Sequence, residues 1–127
     1  MARPSAKELT ERELEVMQVF WQHGEITAAQ ARDRLAEAGF DLAYVTVANL
    51  IRIVLEKGFL EQTNDERPYV YRAARSFDEV SQSLVGDLLR RVFQGSREQL
   101  LLNVLKRRRL TAKERALLRE ILEEQES

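Results

Sequence analysis

Helix-start and helix-stop signals alternate along the first 58 residues and divide them into three short segments. Thr10 begins a capping-box pattern with Glu13, and Thr27 is a second residue suited to cap a helix. Glycines that can end a helix follow the three segments, at Gly24, Gly39 and Gly58. We therefore predict helices over about residues 11–22, 28–38 and 43–57. Helices this short need tertiary packing to be stable, so the three are expected to share one core.

The third of these segments has two different faces. Its apolar residues follow the spacing i, i+3, i+4, i+7, i+8, at Val47, Leu50, Ile51, Val54 and Leu55. The opposite face carries Tyr44, Thr46, Ala48, Asn49, Arg52 and Ile53. These side chains are mostly uncharged, unlike the Lys/Glu-rich surface of a helix that is merely solvated. The segment is therefore a candidate recognition helix.

A β-hairpin is predicted after Gly58. The stretches 59–63 and 69–72 are rich in β-prone residues, and the five residues between them, Asn64 to Pro68, are turn formers. Three helices followed by a hairpin is the order of a winged helix-turn-helix. In that fold the third helix enters the major groove of DNA, and the hairpin forms the wing.

Five side chains are candidate DNA contacts in this arrangement. Thr46 and Asn49 are i, i+3 neighbours, and Asn can bond adenine bidentately while Thr can contact thymine. Arg52, one turn further on, can reach guanine or a phosphate. Tyr44 can donate a hydrogen bond to a phosphate, and Arg67 at the wing tip is a candidate phosphate or minor-groove contact.

The candidate contacts can also be explained without DNA binding. Arg67 is next to Asp65 and Glu66, with which it can form a local ion pair instead of a DNA contact. Thr46 and Asn49 can be ordinary surface residues, and three helices with a hairpin also occur in protein-interaction modules. From patterning alone, DNA binding and protein interaction both stay open.

Residues 76–127 predict a second, helical domain. They contain no Pro and offer three helical stretches, about 77–93, 97–106 and from Thr111 onwards. About 50 residues cannot bury so many apolar side chains in a core of their own, so the stripes pack either on the first 75 residues or on a second copy of the chain. We expect a homodimer, because a two-fold protein matches a two-fold operator. The predicted fold is mainly α with a small β-hairpin: a winged helix over residues 1–75 and a helical dimerisation domain over residues 76–127.

Composition excludes several kinds of chemistry. The chain has no Cys and one His, so disulfides, thiolate catalysis and Cys-based metal sites are excluded, and no cofactor or enzymatic activity is expected. No apolar run is long enough to span a bilayer, and residues 1–7 lack the apolar stretch of a signal peptide, so we expect a cytoplasmic protein without membrane insertion.

Net charge does not point to nucleic acid. The whole chain carries −1, and residues 1–75 carry ten basic and twelve acidic residues, a net charge of −2. Few phosphates would be neutralised by each subunit, so non-specific affinity should be modest. Tight binding is then expected to need both halves of an operator.

Several stretches resemble the penicillinase-repressor family. They are residues 9–17 (LTERELEVM) with Trp21, Thr46-Val47, Glu56-Lys57-Gly58, the strand at 69–71, and residues 101–104 (LLNV). The resemblance implies a dimeric repressor that binds an inverted-repeat DNA operator through an N-terminal winged helix. It also implies a membrane sensor peptidase as a partner, with cleavage of the repressor between Asn103 and Val104. The chain departs from the family pattern at Val104, where Phe is usual, and at Asn49 and Ile53, where Thr and Arg are usual, which implies a different operator sequence.

Overall fold

The structure is a computed structural model that describes residues 8–126, and these form six helices and three short strands. In chain order the elements are α1 (Glu11–His23), β1 (Ile26–Thr27), α2 (Ala28–Glu37), α3 (Tyr44–Glu56), β2 (Leu60–Gln62), β3 (Val70–Ala73), α4 (Phe77–Arg91), α5 (Arg97–Leu105) and α6 (Ala112–Glu126). The helices lie within a few residues of the predicted bounds.

Local hydrogen bonds explain where the first helices begin. The Thr10 hydroxyl accepts from the backbone N–H of Glu13, and the Glu13 carboxylate accepts from the N–H of Thr10, both at 3.2 Å. Thr27 forms a second capping box with Gln30 at the start of α2. These bonds satisfy N–H groups that have no partner inside the helix, and the predicted capping box at Thr10 is confirmed.

The core lies among α1, α2, α3 and the sheet. Its fully buried large side chains are Val16, Met17, Phe20, Leu35, Val47, Ile51, Val54, Phe59 and Val80. Trp21 is partly buried against it. The apolar face of α3 is therefore turned inward, which leaves its opposite side to solvent.

The sheet has one more strand than the predicted hairpin. Its order is β1-β3-β2, with both pairs antiparallel. Ile26 pairs with Tyr71, and Thr27 pairs with Val70. Strand β2 is shorter than predicted, β3 is shifted by one residue, and the connecting loop covers residues 63–69. The additional strand, β1, therefore connects the start of α2 to the wing.

A buried ion pair connects the start of α1 to the end of α3. The Lys57 ammonium lies 2.7 Å from Oε1 of Glu13 and donates to the Glu8 carbonyl at 2.8 Å. Burial alone would raise the pKa of the Glu13 carboxyl, but hydrogen bonds from Lys57 and Thr10 outweigh burial and lower this pKa below its ordinary value. The pair therefore helps to fix α3 against α1.

The start of α4 packs on the winged helix. The Trp21 indole N–H donates to the Arg75 carbonyl at 2.9 Å, and the Trp21 and Phe77 rings meet edge to face with centroids 5.3 Å apart. The buried Arg75 guanidinium lies 4.7 Å from the centre of the Phe59 ring and donates to Glu79.

The described chain divides into two compact units after Asp87, within α4. The first contains the winged helix and the first part of α4. In the second, from Leu88, none of the residues up to 126 is buried. The functional division predicted between residues 75 and 76 stays a prediction.

Candidate nucleic-acid interface

The exposed side of α3 carries a row of mostly uncharged side chains. Val47, Ile51 and Val54 are buried, so the opposite side of the helix faces solvent. The exposed row consists of Val45, Thr46, Asn49, Arg52 and Glu56. Their spacing places them on neighbouring turns of one helix surface. Three of the predicted contacts, Thr46, Asn49 and Arg52, are therefore brought together on α3.

Arg52 has an ion partner on the same helix. Its Nη1 lies 3.0 Å from Oε1 of Glu56, four residues further on. Both side chains are more than half exposed, so water weakens the pair and little free energy is lost when the guanidinium turns to another acceptor. Arg52 is thus available to a base or a phosphate.

Tyr44 and Arg67 lie together in a separate place. An open cleft of about 590 Å³ is lined by Thr27, Ala28, Ala29, Tyr44, Arg67, Pro68, Tyr69 and Tyr71. These residues come from the start of α2, the start of α3 and the wing. The five predicted contacts thus form two groups: three on the outer side of α3 and two in this cleft, which we call the wing cleft.

Arg67 is not paired with its acidic neighbours. Its guanidinium carbon lies 5.6 Å from the centre of the Tyr69 ring, a cation–π arrangement. Within residues 8–126, no carboxylate of Asp65 or Glu66 lies within ion-pair distance of it. The structural interpretation of Arg67 as a local ion pair is therefore wrong, and its charge is directed to the cleft surface.

The wing cleft also contains hydrogen-bond donors. Burial raises the pKa of the Tyr71 hydroxyl, the nearby Tyr44 and Tyr69 raise it further, and Arg67 opposes them. The Tyr71 hydroxyl therefore stays protonated at neutral pH and can donate to an anion. Ala28 and Ala29 belong to the first turn of α2, where backbone N–H groups lack partners inside the helix. The cleft thus offers one cation and several donors.

Sequence reasoning missed several residues of this surface, among them Val45, Tyr69 and Tyr71. Val45 precedes Asn49 by four residues, so helical spacing alone would have placed the two side by side. Tyr69 and Tyr71 are two residues apart, and strand alternation turns such residues to the same face. The position of both next to α2 depends on the pairing of β1 with β3.

The predicted cleavage position lies in α5. Asn103 and Val104 are both exposed, and Val104 is the second-last residue of that nine-residue helix. The basic run from Lys106 to Arg109 follows the helix and is exposed throughout. The peptide bond is therefore accessible, but it lies in helical backbone.

Within residues 8–126, no three His, Asp or Glu side chains are grouped so that they could hold a metal ion. None of the helices in that range has the length and apolar character required to cross a membrane.

The fold is shared with solved structures. The protein chain of the hsRosR–SG complex has a TM-score of 0.56 at 18% identity, covering 96% of this chain and 96% of that chain. The chain of the hsRosR–S1 complex has a TM-score of 0.54 at 17% identity, covering 81% and 94%. Together with α3 and the wing, this likeness defines the class of the fold as a winged helix.

Sequence comparison identifies the family. The penicillinase repressor family model matches residues 9–124, and the chain belongs to that family of winged-helix DNA-binding transcriptional repressors. A penicillinase repressor of Bacillus licheniformis is 26% identical over 117 residues, which cover 92% of this chain and 91% of that protein.

Proposed function

We propose that this repressor binds an inverted-repeat operator as a homodimer, with α3 in the major groove and the wing on the neighbouring backbone. One observation carries the proposal: the solvent-exposed side of α3 presents Thr46, Asn49 and Arg52 together. These are residue types that read base edges, and their spacing suits a helix lying in the groove.

Four side chains of the exposed α3 row have proposed contacts with bases or phosphate. Asn49 can bond the N6 and N7 edge of adenine, and Arg52 can bond guanine or a phosphate after leaving Glu56. The Thr46 methyl and the exposed Val45 side chain can pack against thymine methyl groups. The row therefore favours a site that contains A·T pairs, with a G·C pair where Arg52 bonds guanine.

The wing cleft binds the DNA backbone in this proposal. Arg67 supplies the charge, and the hydroxyls of Tyr44 and Tyr71 supply neutral donors at the start of α3 and on β3. A diester phosphate is the ligand that matches one guanidinium and several donors. Contacts with the DNA backbone fix the position of α3 along the groove, but they do not distinguish one base sequence from another.

A second copy of the chain covers the apolar surface of the second unit. Its large apolar side chains are exposed, among them Leu88, Val92, Leu101, Leu117 and Leu122. A monomer rarely leaves so many apolar side chains in water, whereas a two-fold dimer buries the same patch on both subunits. Dimerisation also fits the near-neutral charge of the chain. Because each subunit neutralises few phosphates, contacts with two half-sites are needed to supply the binding free energy.

Release from DNA is proposed to follow cleavage between Asn103 and Val104 by a membrane sensor peptidase. The exposure of both residues supports this step. Because proteases bind extended segments, the last turns of α5 must open first. Co-expression with a cognate peptidase and its inducer should yield two fragments divided after Asn103, and an intact chain under those conditions would show another mode of release.

The DNA contacts are tested by mobility shift with the upstream region of the repressor's own gene. Asn49→Ala and Arg52→Ala should each weaken site-specific binding about tenfold or more. Gln18→Ala on α1 and Arg34→Ala on α2 are matched controls, since both side chains are exposed and neither lies on α3 or the wing cleft. Unchanged affinity for both α3 variants would contradict the assignment of α3.

The slightly negative charge of the first 75 residues favours one alternative, a protein-interaction module that uses the same fold. Such a module would bind a protein partner and no duplex, even at low salt. Duplex binding that weakens as salt rises separates the two functions.

A further inference from the structure

The loop of the wing is held by the side chain of one residue, Asn64. Its Nδ2 donates to the carbonyl of Glu66 at 2.9 Å and to the carbonyl of Pro68 at 3.1 Å. Its Oδ1 accepts from the N–H of Val70 at 2.8 Å. A primary amide has two N–H donors, and here both find an acceptor in the same loop.

These bonds bracket Arg67. The two carbonyls bound by Nδ2 belong to the residues immediately before and after it, so the backbone on both sides of Arg67 is tied to one point. The third bond ties that point to Val70 at the start of β3. The side chain of Arg67 is thereby carried on a loop segment whose position relative to the sheet is fixed.

Asn64 is itself secured by the preceding strand. The Gln62 side-chain amide donates to the Asn64 carbonyl at 2.7 Å. The backbone N–H of Thr63 donates to the Val70 carbonyl at 2.8 Å. The wing is therefore ordered from its base to its tip by hydrogen bonds, although its loop is exposed.

We propose that Asn64 is a positioning residue that holds Arg67 in place for a DNA phosphate. This inference rests on the proposed function, because it deepens the role of the wing cleft. A braced loop does not have to be ordered when DNA binds, so the arginine contact costs less conformational entropy. Loss of the brace should therefore weaken DNA binding through Arg67 and through no other contact.

The test is a double-mutant cycle on the full chain with Arg67→Ala, Asn64→Ala and the double variant. Affinity for a duplex of the gene's own upstream region is measured by fluorescence anisotropy at several salt concentrations. Arg67→Ala should lower the salt slope by about 0.9 for each bound subunit, the value expected for one lost phosphate contact. Asn64→Ala should lower the slope in the same direction and weaken binding about three- to tenfold. In the Arg67→Ala background, Asn64→Ala should have no further effect.

Two more variants separate positioning from general damage to the wing. Thr63→Val removes a hydroxyl that bonds the Val70 carbonyl at the wing base, keeps the charge, and should leave the salt slope unchanged. Asn64→Asp keeps an acceptor for Val70 but loses both donors to the carbonyls around Arg67. It should therefore weaken binding at least as much as Asn64→Ala, because its negative charge also repels phosphate, and an affinity equal to that of the parent protein would show that the two donors are not needed.

The outcomes distinguish failure of the role of Asn64 from failure of the Arg67 contact and of DNA binding itself. Asn64 does not act through Arg67 if Asn64→Ala weakens binding equally in the parent protein and in Arg67→Ala, or if Asn64→Ala has the same salt slope as the parent protein. In either case the proposal is wrong, while the contact of Arg67 with a phosphate is unaffected. If Arg67→Ala changes neither affinity nor slope, the wing contact is wrong and the role of Asn64 fails with it. If the parent chain binds no duplex at all, the proposed function itself fails.

Discussion

The buried pair between Glu13 and Lys57 makes a quantitative prediction about stability. Replacement of Lys57 by Met keeps most of the aliphatic stem and removes the ammonium. The Glu13 carboxylate then keeps its bond from the Thr10 N–H but loses its counter-charge, and the Glu8 carbonyl loses its donor. Lys57→Met should therefore destabilise the first unit through a buried charge that has no counter-ion.

The magnitude follows from the exposure of the two partners. Removal of one member of a fully buried ion pair costs about 3–5 kcal/mol. Glu13 is 4% exposed, close to that limit, but the Lys57 side chain is 28% exposed, so water can reach the carboxylate that remains. We expect the free energy of unfolding to fall by about 2–3 kcal/mol, between the fully buried case and the loss of one charged hydrogen bond.

Urea unfolding followed by circular dichroism measures this difference, at one fixed protein concentration because self-association changes apparent stability. The matched control is Arg34→Met, which breaks an exposed pair with Glu37 whose atoms lie 3.2 Å apart. That variant should lose about 0.5 kcal/mol or less. A loss for Lys57→Met no larger than that of the control would show that the pair between Glu13 and Lys57 stabilises the first unit no more than an exposed ion pair does.

The same pair predicts a dependence on pH. The pKa of the Glu13 carboxyl is lowered in the folded protein from its ordinary value of 4.5. Its contribution to stability is therefore fully present well above pH 4.5 and is lost as the pH falls through the folded pKa. Glu13→Gln should be less stable than the parent protein at neutral pH in the same urea measurement. Between neutral pH and pH 3 its free energy of unfolding should decrease less steeply than that of the parent protein, and equal decreases would contradict this role for Glu13.

Three further changes test other parts of the structure. Trp21→Phe removes the indole donor to the Arg75 carbonyl and should cost about 1 kcal/mol in urea unfolding, whereas no loss would show that this bond adds nothing to stability. Glu56→Gln removes the partner of Arg52 and a negative charge from α3, so duplex affinity measured by anisotropy should rise about threefold, and a decrease would mean that Glu56 contacts DNA favourably. Val92→Glu places a charge on an exposed apolar position just after the end of α4 and should shift sedimentation from dimer to monomer, and an unchanged dimer would exclude that surface.

The helices could be predicted because their signals are local. Thr10 and Glu13 are three residues apart, and the structure contains the capping box that this spacing predicts. Strand β1 could not be predicted, because two residues carry no periodicity and Ile26 becomes a strand only by pairing with Tyr71, far along the chain. The exposed apolar stripes of the second unit were also visible in the sequence, but their partner is not.

The candidate site was likewise predictable where it depends on local spacing and not where it depends on distant parts of the chain. Helical spacing placed Thr46, Asn49 and Arg52 on one side of α3, as the structure has them. It did not separate Tyr44 from this row, because the separation depends on where the wing packs. Asn64 was visible only as a turn former, since its bonds around Arg67 require the folded loop.

In the proposed mode of binding, two copies of this repressor bind one inverted repeat through α3. The most direct measurement takes the site located by footprinting in the gene's own upstream region and compares three duplexes: the full repeat, one half-site and a scrambled sequence. The full repeat should bind two subunits, at least about a hundredfold more tightly than the half-site, and Asn49→Ala should reduce the preference over the scrambled duplex. Equal affinity for the repeat and the half-site would exclude binding as a dimer, and a preference that survives Asn49→Ala and Arg52→Ala together would exclude base recognition by α3.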